Sequence, residues 1–284
     1  MQPGETLTAF SQTVHAGGKG LNQSIALAKA GAEVYHAGCI GTGGGPLEKL
    51  LRENHVNTAF LKPVEELQGN AVIQVTPSGE NCIVLFGGSN QCVTPQQIEE
   101  TLSFFAEGDY LVLQNEINEL PLLVERAYER GMKIVLNPSP CNDKLNAVDF
   151  GKLDWLFINE VEASQLSGRK EPEEAWKMLH QAYPNLSILI TLGRLGSIVY
   201  RVGNGEIETI RQKAFSVPTV DTTAAGDTFT GFFIGGLTEE MPLETCMRRA
   251  SMAAAICVTR PGAAGSIPTR EEVEERLKEA GWQK

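Results

Sequence analysis

Asp109-Tyr110-Leu111-Val112-Leu113-Gln114, Lys133-Ile134-Val135-Leu136-Asn137, Trp155-Leu156-Phe157-Ile158-Asn159 and Ile188-Leu189-Ile190-Thr191 decide the fold. Each run is short and almost continuously apolar. Between them lie stretches with helical spacing, Leu120 to Arg130, stopped by Gly131, and Pro172 to His180. Strands without polar alternation are buried on both faces, and helices connecting them supply the cover. The pattern predicts an α/β fold around a mostly parallel sheet. C-terminal to it, Ala225 to Leu237, Pro242 to Thr259 and Thr269 to Ala280 read as helices. N-terminal to it, Asn70 to Thr76 and Cys82 to Phe86 read as the arms of a hairpin around Pro77-Ser78-Gly79-Glu80-Asn81. Thr6 to His15 is expected beside them as a further strand, the three making a small β lid over approximately residues 5–16 and 69–87.

Composition narrows the classes of function. With 284 residues, 42% of them hydrophobic, the chain can bury a large core as one large domain or one domain with an appendage. Its net charge of −11, with no basic run, argues against nucleic acid as a partner. No apolar run reaches the roughly 20 residues of a membrane helix, and Met1 to Phe10 lacks the pattern of a signal peptide. The six cysteines (Cys39, Cys82, Cys92, Cys141, Cys246, Cys257) are scattered without metal-ligand spacing. They are expected as buried or half-buried free thiols in a cytoplasmic protein.

Two segments carry chemistry. In Asp221-Thr222-Thr223-Ala224-Ala225-Gly226-Asp227-Thr228-Phe229-Thr230-Gly231, small residues open a helix whose unpaired amides suit an anion. Asp227 falls in its first turn, either as a base for a substrate hydroxyl or as an ordinary N-terminal cap. In Ala16-Gly17-Gly18-Lys19-Gly20-Leu21-Asn22-Gln23-Ser24, glycines precede a helix, so a ligand can approach the backbone while Lys19, Asn22 and Gln23 offer polar contacts. No Walker sequence occurs. Gly41-Thr42-Gly43-Gly44-Gly45-Pro46 ends in proline and reads as a loop, which leaves a dehydrogenase without its glycine fingerprint.

Together these segments resemble the ribokinase branch of the PfkB carbohydrate kinases. Asp221 to Gly231 is similar to that family's C-terminal signature, and Gly17 to Gln23 to its sugar-binding glycine motif. Asn159-Glu160-Val161-Glu162 resembles its Asn-x-x-Glu motif, Thr191-Leu192-Gly193-Arg194-Leu195-Gly196 its nucleotide-binding turn, and Arg260-Pro261-Gly262-Ala263-Ala264-Gly265-Ser266 its monovalent-cation loop. The resemblance implies a ribokinase-like three-layer sandwich, a single domain over residues 1–284, and ATP-dependent phosphorylation of D-ribose to D-ribose 5-phosphate. It implies Asp227 as base, with the Ala225, Gly226 and Asp227 amides as an anion hole. Gly18, Lys19, Gly20, Asn22 and Glu116 would contact the sugar. Asn159, Thr191, Leu192, Gly193, Arg194, Leu195, Gly196, Gly226 and Ser251 would face ATP. Glu162 would organise Mg²⁺ through water, and Asp221, Thr223, Cys257, Arg260, Gly262 and Ser266 would ring K⁺, mostly through backbone carbonyls. A homodimer through the lid is implied as well.

The departures are specific. The family begins with a strand bearing an Asn-x-Asp sugar contact, whereas Met1-Gln2-Pro3-Gly4-Glu5-Thr6 is similar to the sequence that follows that strand. A sheet short of one strand, with its neighbours' amides and carbonyls unpaired, is therefore expected. Gly41 to Pro46 replaces a loop that usually carries an acid near the sugar, and Ser251 a larger polar residue. A kinase of 2-deoxyribose, another pentose, fructose or a nucleoside remains open, as does a non-catalytic sugar- or nucleotide-sensing module.

Overall fold

A computed structural model describes residues 6, 8–75, 81–203 and 205–282. The runs that decide the fold are strands: β5 (Tyr110–Gln114), β6 (Lys133–Asn137), β7 (Trp155–Asn159) and β8 (Ser187–Thr191). They lie parallel and in sequence order. A hairpin, β9 (Ser197–Gly203) and β10 (Glu206–Gln212), extends the sheet antiparallel, giving the order β10-β9-β8-β7-β6-β5.

Why these strands sit here follows from the pleat, which sends successive side chains to opposite faces. Val135, Trp155, Phe157, Leu189 and Val199 pack into one core with α1 (Lys19–Ala30), α7 (Ala225–Thr238), α8 (Leu243–Cys257) and α9 (Arg270–Glu279). Ile134, Leu136, Leu156, Ile158, Ile188, Ile190 and Ile198 pack into a second. That core is closed by α3 (Pro95–Leu102), α4 (Leu120–Glu129), α5 (Glu160–Ser167) and α6 (Pro172–Ala182). The result is the three-layer arrangement of helices, sheet and helices.

One close approach aligns the two helices that build the site. On α7, a Cβ on Gly231 would stand 2.4 Å from the Ala26 Cβ of α1, and one on Gly235 would stand 2.8 Å from that of Ala30. The absence of side chains there lets α7 and α1 lie almost backbone to backbone, so that their N-terminal turns come together.

The remaining strands stand apart from the main sheet. β1 (Tyr35–Thr42) and β2 (Asn57–Leu67) form a parallel pair connected through α2 (Gly45–Glu53). The glycine run 41–45 is thus a strand-to-helix connection. β3 (Asn70–Val75) and β4 (Asn81–Phe86) form the expected hairpin, and most of its turn lies outside the described residues. The expected strand at Thr6 to His15 is not found: residues 6 and 8–17 carry no strand. Phe10 and Val14 are 97% and 90% exposed. A strand is held by its ladder and by burial of one face, and neither Phe10 nor Val14 is buried on anything here, so nothing offsets the entropy of ordering one. The cysteines are free thiols as expected, but Cys82, on the hairpin, is exposed. No helix among the described residues is long and apolar enough to cross a membrane.

Candidate active site

The site forms where the N-termini of α1 and α7 meet the C-terminal end of β5. Gly18, with φ 108°, turns the chain into α1 in a conformation that other residues rarely adopt, and its carbonyl accepts from the Asn22 amide at 2.9 Å. That turn aims Asn22 and Gln23 at α7. Asn22 Nδ2 donates to Asp227 Oδ2 and Gln23 Nε2 to Asp227 Oδ1, each at 2.9 Å. Gln114 Nε2, from the end of β5, donates to Gln23 Oε1 at 2.6 Å and fixes the orientation of that amide.

These contacts show what holds Asp227. Helix α7 begins after Ala224, in a left-handed conformation (φ 61°), and no side chain caps it. Asp227, only 8% exposed, is held by side chains more than 200 positions away and not by its own helix end. A carboxylate has about four lone-pair positions, so each oxygen keeps one for a ligand. The Gly226 and Asp227 amides have no acceptor among the described residues, while the Ala225 amide makes a long 3.3 Å bond to the Thr222 carbonyl. Orphan amides at a helix start, beside an anchored carboxylate, can bind an anion and take a proton in one place.

Lys19 and Glu116 join the same site. Burial pushes the Glu116 carboxyl above its usual range. The Lys19 charge pulls against that rise, the Asp227 charge adds to it, and the Lys19 amide opposes it. Gly20 lies under Gln114, where a Cβ would be 3.1 Å from Oε1. Gln23 and Gln114 are joined to Asp227 by the chain of hydrogen bonds from Gln114 through Gln23. Gln23 was visible as a polar member of the glycine segment, but Gln114 carried no signal beyond ending a strand.

The other motifs line the same edge of the sheet. Asn159 and Thr191 end the neighbouring strands β7 and β8 and are paired in register. Leu192 to Gly196 follow as a tight turn, the Leu192 amide donating to the Gly196 carbonyl at 2.8 Å, with Arg194 at its centre and Leu195 exposed. Ser251 is buried on α8, one turn beyond Met247, whose sulfur meets Ser197. Glu162 is not a solvated helix-face acid. Its Oε2 accepts from the Asn159 amide at 3.0 Å while Asn159 Oδ1 accepts from the Glu162 amide at 2.9 Å, a capping box that opens α5.

Behind the α7 turn, Asp221 ties two loops together. Its Oδ1 accepts from the Thr223 amide (2.9 Å) and hydroxyl (2.6 Å), and its Oδ2 from the Gly262 amide (2.9 Å). Burial acts to raise the Asp221 carboxyl, but those donors outweigh it and hold it below its usual range. The Cys257 thiol lies 3.6 Å from the Thr223 carbonyl and 3.1 Å from Ser266 Oγ, which donates to the Ala263 carbonyl. The Arg260 guanidinium pairs with Glu272 at 2.6 Å, so this residue's contribution to the loop is its main chain.

A profile of the pfkB family of carbohydrate kinases matches residues 1–270. The ribokinase of Haemophilus influenzae is 37% identical, over 98% of this chain and 92% of its own. The ribokinase of Cryptococcus neoformans, solved with ADP, is 34% identical and superposes with a TM-score of 0.86 over 98% of this chain and 93% of that one. An Arabidopsis thaliana ribokinase, solved with ribose and ATP, is 29% identical, with a TM-score of 0.81 over 97% and 91%. Likeness of sequence over nearly the full length, as well as of fold, carries the assignment: the chain belongs to the pfkB family of carbohydrate kinases.

Proposed function

We propose that this protein, acting as one domain, transfers the γ-phosphoryl group of ATP to the 5-hydroxyl of D-ribose. The observation that carries the reading is the anchoring of Asp227 by Asn22 and Gln23 beside the amides of Gly226 and Asp227. In the reaction, Asp227 takes the hydroxyl proton as the sugar oxygen bonds to the γ-phosphorus and the bond to ADP breaks. The Ala225, Gly226 and Asp227 amides donate to the oxygens of the transferring group. Phosphoryl transfer asks for alignment and charge stabilisation more than for covalent chemistry, so few groups suffice. Lys19, Asn22 and Glu116 hold the sugar hydroxyls, with Gly18 and Gly20 admitting the ring. Asn159, Thr191 to Gly196, Gly226 and Ser251 flank ATP. The ribose and ATP held by the Arabidopsis ribokinase support this choice of substrates.

Two cations fit the residues present. Glu162 uses Oε2 in its capping box and leaves its other oxygen for the water shell of Mg²⁺, which neutralises phosphate charge. Among the described residues no group of three acidic, histidine or cysteine side chains gathers for a metal, which suits an ion held mainly by phosphates and water. K⁺ suits the neighbourhood of Asp221, Thr223, Cys257, Gly262 and Ser266, where carbonyls and a hydroxyl converge, and it would brace the loop before α7. The test is coupled ADP release with ribose, 2-deoxyribose, fructose and adenosine, in Mg²⁺ with K⁺ or Na⁺. We expect ribose to give the highest kcat/KM, and Na⁺ in place of K⁺ to lower turnover several-fold. Ribose binding without ADP release would overturn the kinase reading in favour of a sensor, and indifference to the cation would remove the K⁺ site.

The hairpin exposes the pair Val72 and Val84 on one face and Ile73, Ile83 and Leu85 on the other, each more than half accessible, on a two-stranded sheet that no other strand joins among the described residues. An apolar patch of that kind marks an interface, and we assign it to a homodimer. Sedimentation equilibrium is expected to give twice the 30.8 kDa chain mass, and Val84→Glu to return it to one. A single-chain mass for the unaltered protein at micromolar concentration would set the dimer aside.

A further inference from the structure

Asp227 rests on two amides that are not equivalent. A carboxylate only accepts hydrogen bonds, so Asn22 and Gln23 each turn their NH₂ toward it. Asn22 Oδ1 is buried and has no partner among the described residues, so Asp227 alone sets the orientation of that amide. Gln23 is engaged at both ends. Its Nε2 donates to Asp227 Oδ1 at 2.9 Å, and its Oε1 accepts from Gln114 Nε2 at 2.6 Å. Gln23 is 2% exposed and Asp227 8%, so bulk water offers neither of them a replacement partner.

Gln114 is fastened to the main sheet. It ends β5, in register with Asn137 of β6. Leu113 before it is buried, and so is Asn115 after it. The Asn115 amide donates to the Ser139 carbonyl at 3.3 Å, and its Nδ2 donates to the Pro140 carbonyl at 2.6 Å. The Gln114 oxygen lies toward α1, where Gly20 leaves it room, since a Cβ there would stand 3.1 Å away. Gln114 therefore presents its donor from a fixed place. The chain from Gln114 through Gln23 to Asp227 has a single polarity. An inverted Gln23 would set oxygen against oxygen at Asp227 and NH₂ against NH₂ at Gln114, and buried polar groups opposed in that way are costly.

We infer that Gln114 is a positioning residue: acting through Gln23, it fixes which end of that amide faces Asp227 and so holds the carboxylate in the rotation that serves the sugar hydroxyl. The two amides then divide the work. Gln23 is locked by Gln114, while Asn22 keeps Oδ1 for a substrate group. The effect on turnover rests on the proposed phosphoryl transfer, whereas the polarity of the chain rests on the hydrogen bonds alone. Alignment of the reacting oxygen is what such a reaction demands, and a misplacement of about 1 Å costs on the order of a hundredfold in rate.

The experiment compares Gln114→Glu with Gln114→Met at about pH 8, where an introduced carboxyl is ionised. Glutamate is closer in shape but cannot donate, so it leaves Gln23 between two acceptors. Methionine removes the bond without opposing it. Gln114→Glu is expected to lower kcat for ribose phosphorylation by about a hundredfold and Gln114→Met by about tenfold, with KM for ribose and ATP within about twofold. Beside Asp227→Asn the penalty disappears, because Gln23 can invert, its NH₂ toward the introduced carboxylate and its oxygen toward the introduced amide. Gln114→Glu should therefore lower the melting temperature by about 3 °C in the otherwise unaltered protein, and leave it unchanged or raise it beside Asp227→Asn. Charge repulsion alone gives coupling of the same sign, so the cycle is repeated with Gln23→Leu, which removes the amide and keeps the charges. The coupling should then fall by about half or more. Gln114→Met as harmful as Gln114→Glu, an equal loss of melting temperature in both backgrounds, or coupling undiminished by Gln23→Leu would each overturn the inference. If Gln114→Glu does not fold alone, a folded double variant supports the chain of bonds and an unfolded one overturns it. A parent protein that releases no ADP removes the kinase reading, and the melting cycle still judges Gln114.

Discussion

Asp227→Asn is expected to lower kcat for ribose phosphorylation by about a thousandfold, within the range for loss of a positioned general base, while ATP affinity changes less than threefold. The substitution keeps the size of the side chain but removes its capacity to take a proton. It also places an NH₂ where two donors now converge. Asn22 can answer by reversing its amide. Gln23 cannot do so freely, because Gln114 Nε2 already donates to its carbonyl oxygen at 2.6 Å. One donor is left poorly paired, at a cost of about 1 kcal/mol or more in stability. Steady-state kinetics with a coupled ADP assay, and titration with a fluorescent ATP analogue, separate turnover from binding. Turnover within tenfold of the unaltered enzyme would remove Asp227 from the role of base.

Phe233→Ala should cost about 3–5 kcal/mol, the usual price of emptying a buried aromatic site. Phe233 is fully buried on α7. Its ring meets Trp155 and Phe157 edge-on, with centroids 5.5 and 5.3 Å away, and stacks on Phe229 at 6.3 Å. This cluster fastens α7 to the middle of the sheet, and the same helix begins with the amides and carboxylate of the site. A loss of that size is a large share of the roughly 5–15 kcal/mol that holds a typical domain together. Urea unfolding followed by tryptophan fluorescence would read it as a fall in midpoint, with Phe233→Leu recovering most of the loss. A change below about 1 kcal/mol would mean that the ring cluster does not fasten the helix.

β6 and β7 were legible to the residue, and β5 and β8 to within one, because strands buried on both faces are apolar through their middles and Gly131, Pro138 and the Asn159 cap terminate what lies beside them. β1 and β2 were not legible. Tyr35 to Thr42 is interrupted by glycines, and Asn57 to Leu67 carries Lys62, Pro63, Glu65 and Glu66 because most of it is exposed. Neither has the apolar continuity or the alternation that marks a strand. The opposite error occurred at Thr6 to His15, which has a strand's composition but leaves Phe10 and Val14 exposed.

In the candidate site, the glycine segment, the α7 opening and the motif residues at the ends of β7 and β8 are local patterns, and the chain alone announced them. What holds the Asp227 carboxylate was not local. That was decided by two amides more than 200 residues away, brought to it because Gly231 and Gly235 let α1 and α7 touch. The recruitment of Gln114 was decided in the same way, by its bond to Gln23 on another element. The sequence by itself determined which segments are strands buried on both faces and where its reactive groups lie along the chain. Which of those groups meet was left to packing, because a side-chain pair leaves no periodic trace in a sequence when its partners come from different helices.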